Sequence, residues 1–136
     1  MNEVKELTVV EKDRMGLLAD VSEALGKARV NIQTIFVDVT RGGQAVIHIV
    51  LKPRIAAKAV KALRKSGFKV MDSNVLVVRT RDKPGELSKL CRLLADHGIN
   101  VTNAFSISRA GGEGLDAIST TDNEKARKLL HARKYL

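Results

Sequence analysis

The chain has a single cysteine, Cys91, in 136 residues. One thiol cannot close an intrachain disulfide or supply a CxxC metal pair. The three histidines, His48, His97 and His131, show no metal-ligand spacing. No metal and no cofactor is therefore expected. Aromatic residues are scarce: Phe36, Phe68, Phe105 and Tyr135 are the whole set. Binders of single-stranded nucleic acid stack bases on aromatic rings, so nucleic acid is a disfavoured partner. No apolar run approaches the ~20 residues of a membrane span. The first residues, Met1 to Glu6, are polar and carry both charge signs, unlike a signal peptide. A cytoplasmic protein without a membrane partner is expected. An acid, a base and a nucleophile in recognisable arrangement are also missing. Cys91 has no histidine at known reach, so the chain does not read as an enzyme. Gly111-Gly112-Glu113-Gly114 lacks the Gly-Lys-Ser/Thr of a phosphate loop and reads as a hairpin.

What the chain does have is apolar residues and positive charge. Hydrophobic residues make up 44%, enough for a folded core. The net charge is +9, and it is spread. Residues 1–72 hold 13 basic and 8 acidic side chains, and residues 73–136 hold 11 and 7. A basic, solvated surface explains this spread most simply. The alternative is a nucleic-acid-binding module using two basic helices, with Lys58, Lys61, Arg64 and Lys65 on one and Lys125, Arg127 and Lys128 on the other.

Two stretches organise the pattern. Asp82-Lys83-Pro84-Gly85-Glu86-Leu87 and Asp13-Arg14-Met15-Gly16-Leu17-Leu18 lie 69 residues apart. Each follows a strand-like run and opens a helix-like run. Helix-start N–H groups left exposed at such a turn suit a small anion. In the first half, Leu7 to Val10 reads as a strand. Leu17, Leu18, Val21, Ala24, Leu25 and Ala28 then fall at helical spacing. Ile32 to Thr40 is a second strand, Arg41 to Gln44 a hairpin signal, and Ala45 to Leu51 a third strand. A second helix covers Arg54 to Lys65, led by Pro53, and Phe68 to Met71 is a fourth strand. Asp72-Ser73-Asn74 reads as the linker.

The second half repeats this order. Val75 to Thr80 is a strand. Leu87, Leu90, Cys91 and Leu94 mark a helix face, and Gly98 stops that helix. Val101 to Ser108 and Leu115 to Ser119 are strands about a Gly-Gly hairpin. Asp122 caps a last helix. Arg133 to Leu136 leaves room for a short last strand at most. The expected fold class is α+β. It consists of two ferredoxin-like βαββαβ units in tandem, 1–72 and 73–136, with antiparallel sheets and both helices on one face. Strands apolar on both sides, such as Ile32 to Thr40, want cover on both sides. That feature argues for packing between units or between chains, and with an open edge beside Val75 to Thr80 it favours a homodimer or larger assembly.

Asp-x-Pro-Gly-x-Leu after a strand, then a helix, then Gly98-Ile99-Asn100-Val101, resembles the ACT domain. The first half carries a looser version, Asp13-Arg14-Met15-Gly16-Leu17-Leu18 with Arg29-Val30-Asn31-Ile32. Met15 stands where the family has a small residue or proline. The resemblance covers nearly the whole chain and implies a stand-alone tandem ACT protein. It implies a free amino acid bound where two ACT units meet, coupled to the activity of a metabolic enzyme. Carried over by position, the ligand touches Asp13, Gly16, Leu17, Asn31 and Ile32 in the first unit. In the second it touches Asp82, Gly85, Glu86, Leu87, Asn100 and Val101. Thr34, Phe36, Asn103 and Phe105 would then line the interface.

The chemistry of those residues suits an amino acid. The glycines let backbone N–H groups approach a carboxylate, the aspartates accept from an ammonium, and the asparagine amides serve either end. Structural roles are open beside these. The aspartate can be a helix cap, the glycine a turn residue, and the asparagine a residue tolerant of left-handed geometry.

Overall fold

A computed structural model describes residues 3–136. Met1 and Asn2, which begin the predicted polar start and the predicted unit 1–72, lie outside the described residues. The elements run β1 (Glu3–Lys12), α1 (Leu17–Lys27), β2 (Thr34–Val39), β3 (Gln44–Leu51), α2 (Pro53–Lys65), β4 (Val70–Arg81), α3 (Glu86–Asp96), β5 (Val101–Ala110), β6 (Glu113–Thr120) and α4 (Asn123–Ala132). Two tandem α+β units with antiparallel pairing are present, as the sequence pattern predicts. The fourth strand expected at Phe68 to Met71 is not a strand of its own: β4 begins at Val70 and runs on to Arg81. The chain divides into two compact units at Asn74 and Val75.

In the first unit, β3 pairs antiparallel with both β1 and β2. Period-2 patterning sends Leu7, Val9, Ala45, Ile47, Ile49 and Leu51 to one face, where all are fully buried. Helical spacing brings Val21 and Leu25 of α1, and Ala59 and Leu63 of α2, onto that same face. Burial of each of these large aliphatic side chains stabilises the unit by about 1.5–3 kcal/mol. Pro53 occupies the first turn of α2, where its missing N–H leaves no bond unmade. The helix stops at Gly67, whose φ is +90°, and Phe68 N–H returns to the Leu63 carbonyl at 3.0 Å. The opposite sheet face carries a buried Glu6. Its Oε1 lies 2.8 Å from Nδ1 of His48, and the Phe36 ring stacks on His48 at 4.3 Å.

Two boundaries differ from the sequence reading. β2 begins at Thr34, not at Ile32. α1 ends at Lys27, Arg29 turns left-handed beyond it, and the chain needs Val30 to Gln33 to climb back to the sheet, where Gln33 N–H first bonds Val50 O at 2.9 Å. Asp72-Ser73-Asn74 is not a coil linker either, because it lies inside β4. Residues 70–81 contain no glycine or proline to break an extended backbone, and Met71 and Val75 flank the polar triplet. The opening of β4 belongs to the first unit: Val70 joins its core, and Asp72 pairs with Lys5 at 3.4 Å.

In the second unit, β6 pairs antiparallel with β4 and β5. Leu76, Val78 and Ile118 face Leu90 and Leu94 of α3 and Ala126 and Leu130 of α4. The apolar stripe of α3 is narrower than predicted. Leu90 and Leu94 are its buried residues, while Leu87 and Cys91 are exposed. Asp122 caps α4, accepting from Lys125 N–H at 3.0 Å. After α4 the chain forms no strand. It turns through left-handed Lys134, and Arg79 N–H of β4 donates to Tyr135 O at 2.8 Å. Tyr135 and Leu136 pack against the core. The edge of β4 that the sequence leaves open thus meets the end of α4's trailing segment.

Candidate functional site

The two repeated turns share a framework. Asp13 N–H donates to Gly43 O at 2.8 Å, and Asp82 N–H donates to Gly112 O at 2.9 Å. Each turn is thereby tied to the hairpin of its own unit. The N-cap residues are Gly16 (φ +83°) and Gly85 (φ +88°), both left-handed, and no side chain caps either helix. The aspartates are therefore not helix caps. Left-handed geometry also lies away from the asparagines: Arg29 and Gly98 adopt it, two residues before Asn31 and Asn100. Two of the three structural alternatives thus fail on geometry. The glycine alternative stands, because both glycines do hold a turn conformation that other residues rarely adopt.

In the second unit, the turn borders a concavity of about 400 Å³. It is lined by Thr80, Arg81, Asp82, Lys83, Pro84, Gly85, Glu86, Leu87 and Arg109. Four of the predicted residues, Asp82, Gly85, Glu86 and Leu87, come together here. Leu87 presents an exposed apolar edge, and Glu86 pairs with Lys89 at 3.1 Å. A Cβ built on Gly85 would meet nothing within 4 Å, so this side of the turn is open. Asn100 and Val101 are not among the lining residues. The backbone of Asn100 is tied to Thr121 instead, donating to Oγ1 at 3.1 Å and accepting from N–H at 2.9 Å.

The first unit is different. Leu17 is buried in the core, as a leucine at the position of Glu86 must be. A concavity of about 440 Å³ beside α1 includes Leu17, Arg14 and Asp20, but Asp13, Gly16, Asn31 and Ile32 do not line it. Arg14 and Asp20 close on each other at 2.6 Å. Asp13 and Asn31 are exposed, and Ile32 is half-buried against the core. Met15 is almost fully exposed.

Sequence reasoning missed Arg109 and Asp116. Arg109 Nη2 donates to both carboxylate oxygens of Asp116, at 3.0 and 3.2 Å, and Nη1 to Asp82 Oδ1 at 3.4 Å. Asp116 is buried. An aspartate in the apolar run Leu115 to Ser119 was the available signal, since a buried carboxylate demands a partner.

A basic surface lies elsewhere in the first unit. Lys27, Lys58, Lys61 and Lys65 surround a concavity of about 490 Å³ between α1 and α2, floored by Ala24, Ala28 and Ala62. Among the described residues, no cluster of histidine, cysteine and carboxylate side chains is arranged to hold a metal. No helix there is long and apolar enough to cross a membrane.

Residues 7–68 and 74–135 each match the ACT domain. The chain belongs to the ACT-domain family. ACT domains are amino-acid-binding regulatory modules. The fold is shared with protein BT0572 from Bacteroides thetaiotaomicron at a TM-score of 0.83 and 23% identity, covering 96% of this chain and 88% of that one. It is shared too with the ligand-free regulatory subunit of aspartate kinase from Thermus thermophilus. There the TM-score is 0.70 and the identity 17%, over 99% of this ACT chain and 93% of the other. A curated relative is the bifunctional uridylyltransferase/uridylyl-removing enzyme of Phenylobacterium zucineum (strain HLK1), 26% identical over 95% of this chain. The ACT chain spans 18% of that enzyme's length.

Proposed function

We propose that this ACT chain is a non-catalytic sensor of a free amino acid. The ligand binds at the turn Asp82 to Leu87, against another ACT unit, and its binding shifts the activity of a metabolic enzyme. The observation that carries this reading is the open concavity at that turn. There an uncapped helix start, an aspartate and an arginine lie within one small volume. Those groups complement a zwitterion: donors for a carboxylate and an acceptor for an ammonium. Asn100, carried over from the family pattern, does not line that concavity. Binding works by favouring one assembly over another, as differential affinity requires. The working form is a homodimer in the cytoplasm.

Isothermal titration against the twenty amino acids tests this directly. One or a few should bind, and Asp82→Asn should weaken that binding. A chain that binds none of them is not this sensor. Light scattering with and without the ligand tests assembly: a dimer is expected, and a monomer of about 15 kDa under both conditions removes the dimer.

A second reading rests on the lysine-lined concavity. Lys27, Lys58, Lys61 and Lys65 have no ion-pair partner among the described residues. A nucleic-acid role on that surface predicts binding that falls steeply with salt.

A further inference from the structure

We propose that Arg109 is the residue that reads the ligand's carboxylate, and that the second unit alone carries this device. The inference rests on the sensor reading above and names the chemistry of its site.

In β6, Gly114, Asp116 and Ile118 share one sheet face, and Ile118 places that face against the helices. Ser106 of β5 lies opposite Asp116, but the next pair is Ser108 opposite Leu115. Ile107 is thus an extra residue, a bulge. Without it, strand alternation would send Arg109 to the opposite face. With it, Arg109 lies opposite Gly114, on the face of Asp116. A one-residue bulge is a known way to re-aim a side chain beside a site.

Gly114 completes the arrangement. It is not left-handed, so its backbone does not require glycine. A Cβ there would collide with Nη1 of Arg109, which happens at no other glycine of the chain. The missing side chain makes room for the guanidinium.

The first unit gives the comparison. By the same register, Ala45 and Ile47 hold the places of Gly114 and Asp116, with Val39 opposite Ala45. β2 and β3 pair there without a register shift. So one ACT unit has buried Ala45 and Ile47 beside an exposed Val39, and the other has Arg109, Gly114, Asp116 and a bulge. The fold does not need the second set. A buried carboxylate is expensive to desolvate, and an aliphatic residue serves the core better.

The guanidinium is held unequally. Asp116, with 6% of its side chain exposed, grips Nη2 through both oxygens. Asp82, 45% exposed, touches Nη1 at 3.4 Å. The first contact is a charge-assisted pair on a buried carboxylate and the second a weak surface one. An α-amino acid can replace the weak contact with two: its carboxylate takes Nη1, and its ammonium takes the released Asp82. Charge balances before and after. The recognised class is a free α-amino acid with its carboxylate unblocked.

The test uses the full chain and the amino acid that binds best in the panel of twenty, by isothermal titration. One ligand per chain is expected. The α-amide of that amino acid should bind about ten- to hundredfold more weakly, as for loss of a charge-assisted hydrogen bond. Equal binding of the amide overturns the inference. The triple variant Arg109→Val, Gly114→Ala, Asp116→Ile gives the second unit the first unit's set without stranding a buried charge. It should melt as a folded protein and lose the ligand. A folded triple variant that binds like the parent overturns the inference while leaving the sensor reading intact. A parent that binds no amino acid overturns both.

Discussion

Gly85 and Gly26 allow one atomic change to be made twice with opposite results. Both become alanine, and neither added Cβ meets another atom within 4 Å. Sterics between residues therefore drop out, and only the backbone decides. Gly85 sits at φ +88°, ψ −12°. A left-handed conformation costs an L-residue about 1–2 kcal/mol. Restricting the unfolded chain returns about 0.4–1 kcal/mol. The net for Gly85→Ala is a loss of about 1 kcal/mol. Gly26 lies inside α1 with ordinary helical geometry and is exposed. There alanine should stabilise by about 0.5–1 kcal/mol. In a domain of 60–100 residues, 1 kcal/mol moves Tm by about 4–8 °C. Thermal melts followed by circular dichroism should show the two variants on opposite sides of the parent. If Gly85→Ala melts with or above the parent, the left-handed cap is not what fixes this glycine. The same result would undercut the framework of the candidate site. A valine at position 85 adds β-branching to the strain, so it tests folding more than ligand approach.

Two other predictions concern the fold. Leu63→Ala, fully buried under β1 and β3, should cost about 2–5 kcal/mol in urea unfolding, whereas Cys91→Ala on the exposed side of α3 should stay within about 0.5 kcal/mol of the parent. Asp122→Ala should cost about 1 kcal/mol through loss of the Lys125 N–H cap, and Asp122→Asn should recover most of it.

The architecture was readable because its signals are local and repeated. Leu7 and Val9 alternate, Val21 and Leu25 fall at helical spacing, and Gly67 and Gly98 stop helices for a backbone reason. The same grammar appears twice, 69 residues apart. What escaped the sequence depends on register. Arg109 points at Asp116 only because Ile107 is an extra residue, and no composition or period reveals a bulge. The exposure of Leu87 and Cys91 depends on how wide a stripe α3 presents, which the neighbouring elements decide. Asp72-Ser73-Asn74 is polar enough to look like a linker, yet a strand tolerates three exposed polar residues when nothing breaks the backbone. At the candidate site, the family pattern named the turn residues that line the concavity, Asp82, Gly85, Glu86 and Leu87. The pairing of Asp82 with a distant arginine was not.

The central claim is that an amino acid occupies the turn between β4 and α3. Nuclear magnetic resonance of the isotope-labelled full chain locates it most directly. Titrating the best-binding amino acid to saturation should move the amide signals of Gly85, Glu86 and Leu87 and the guanidinium signal of Arg109 together, along one binding curve. Saturable shifts confined to other residues, with these four unmoved, would contradict the account.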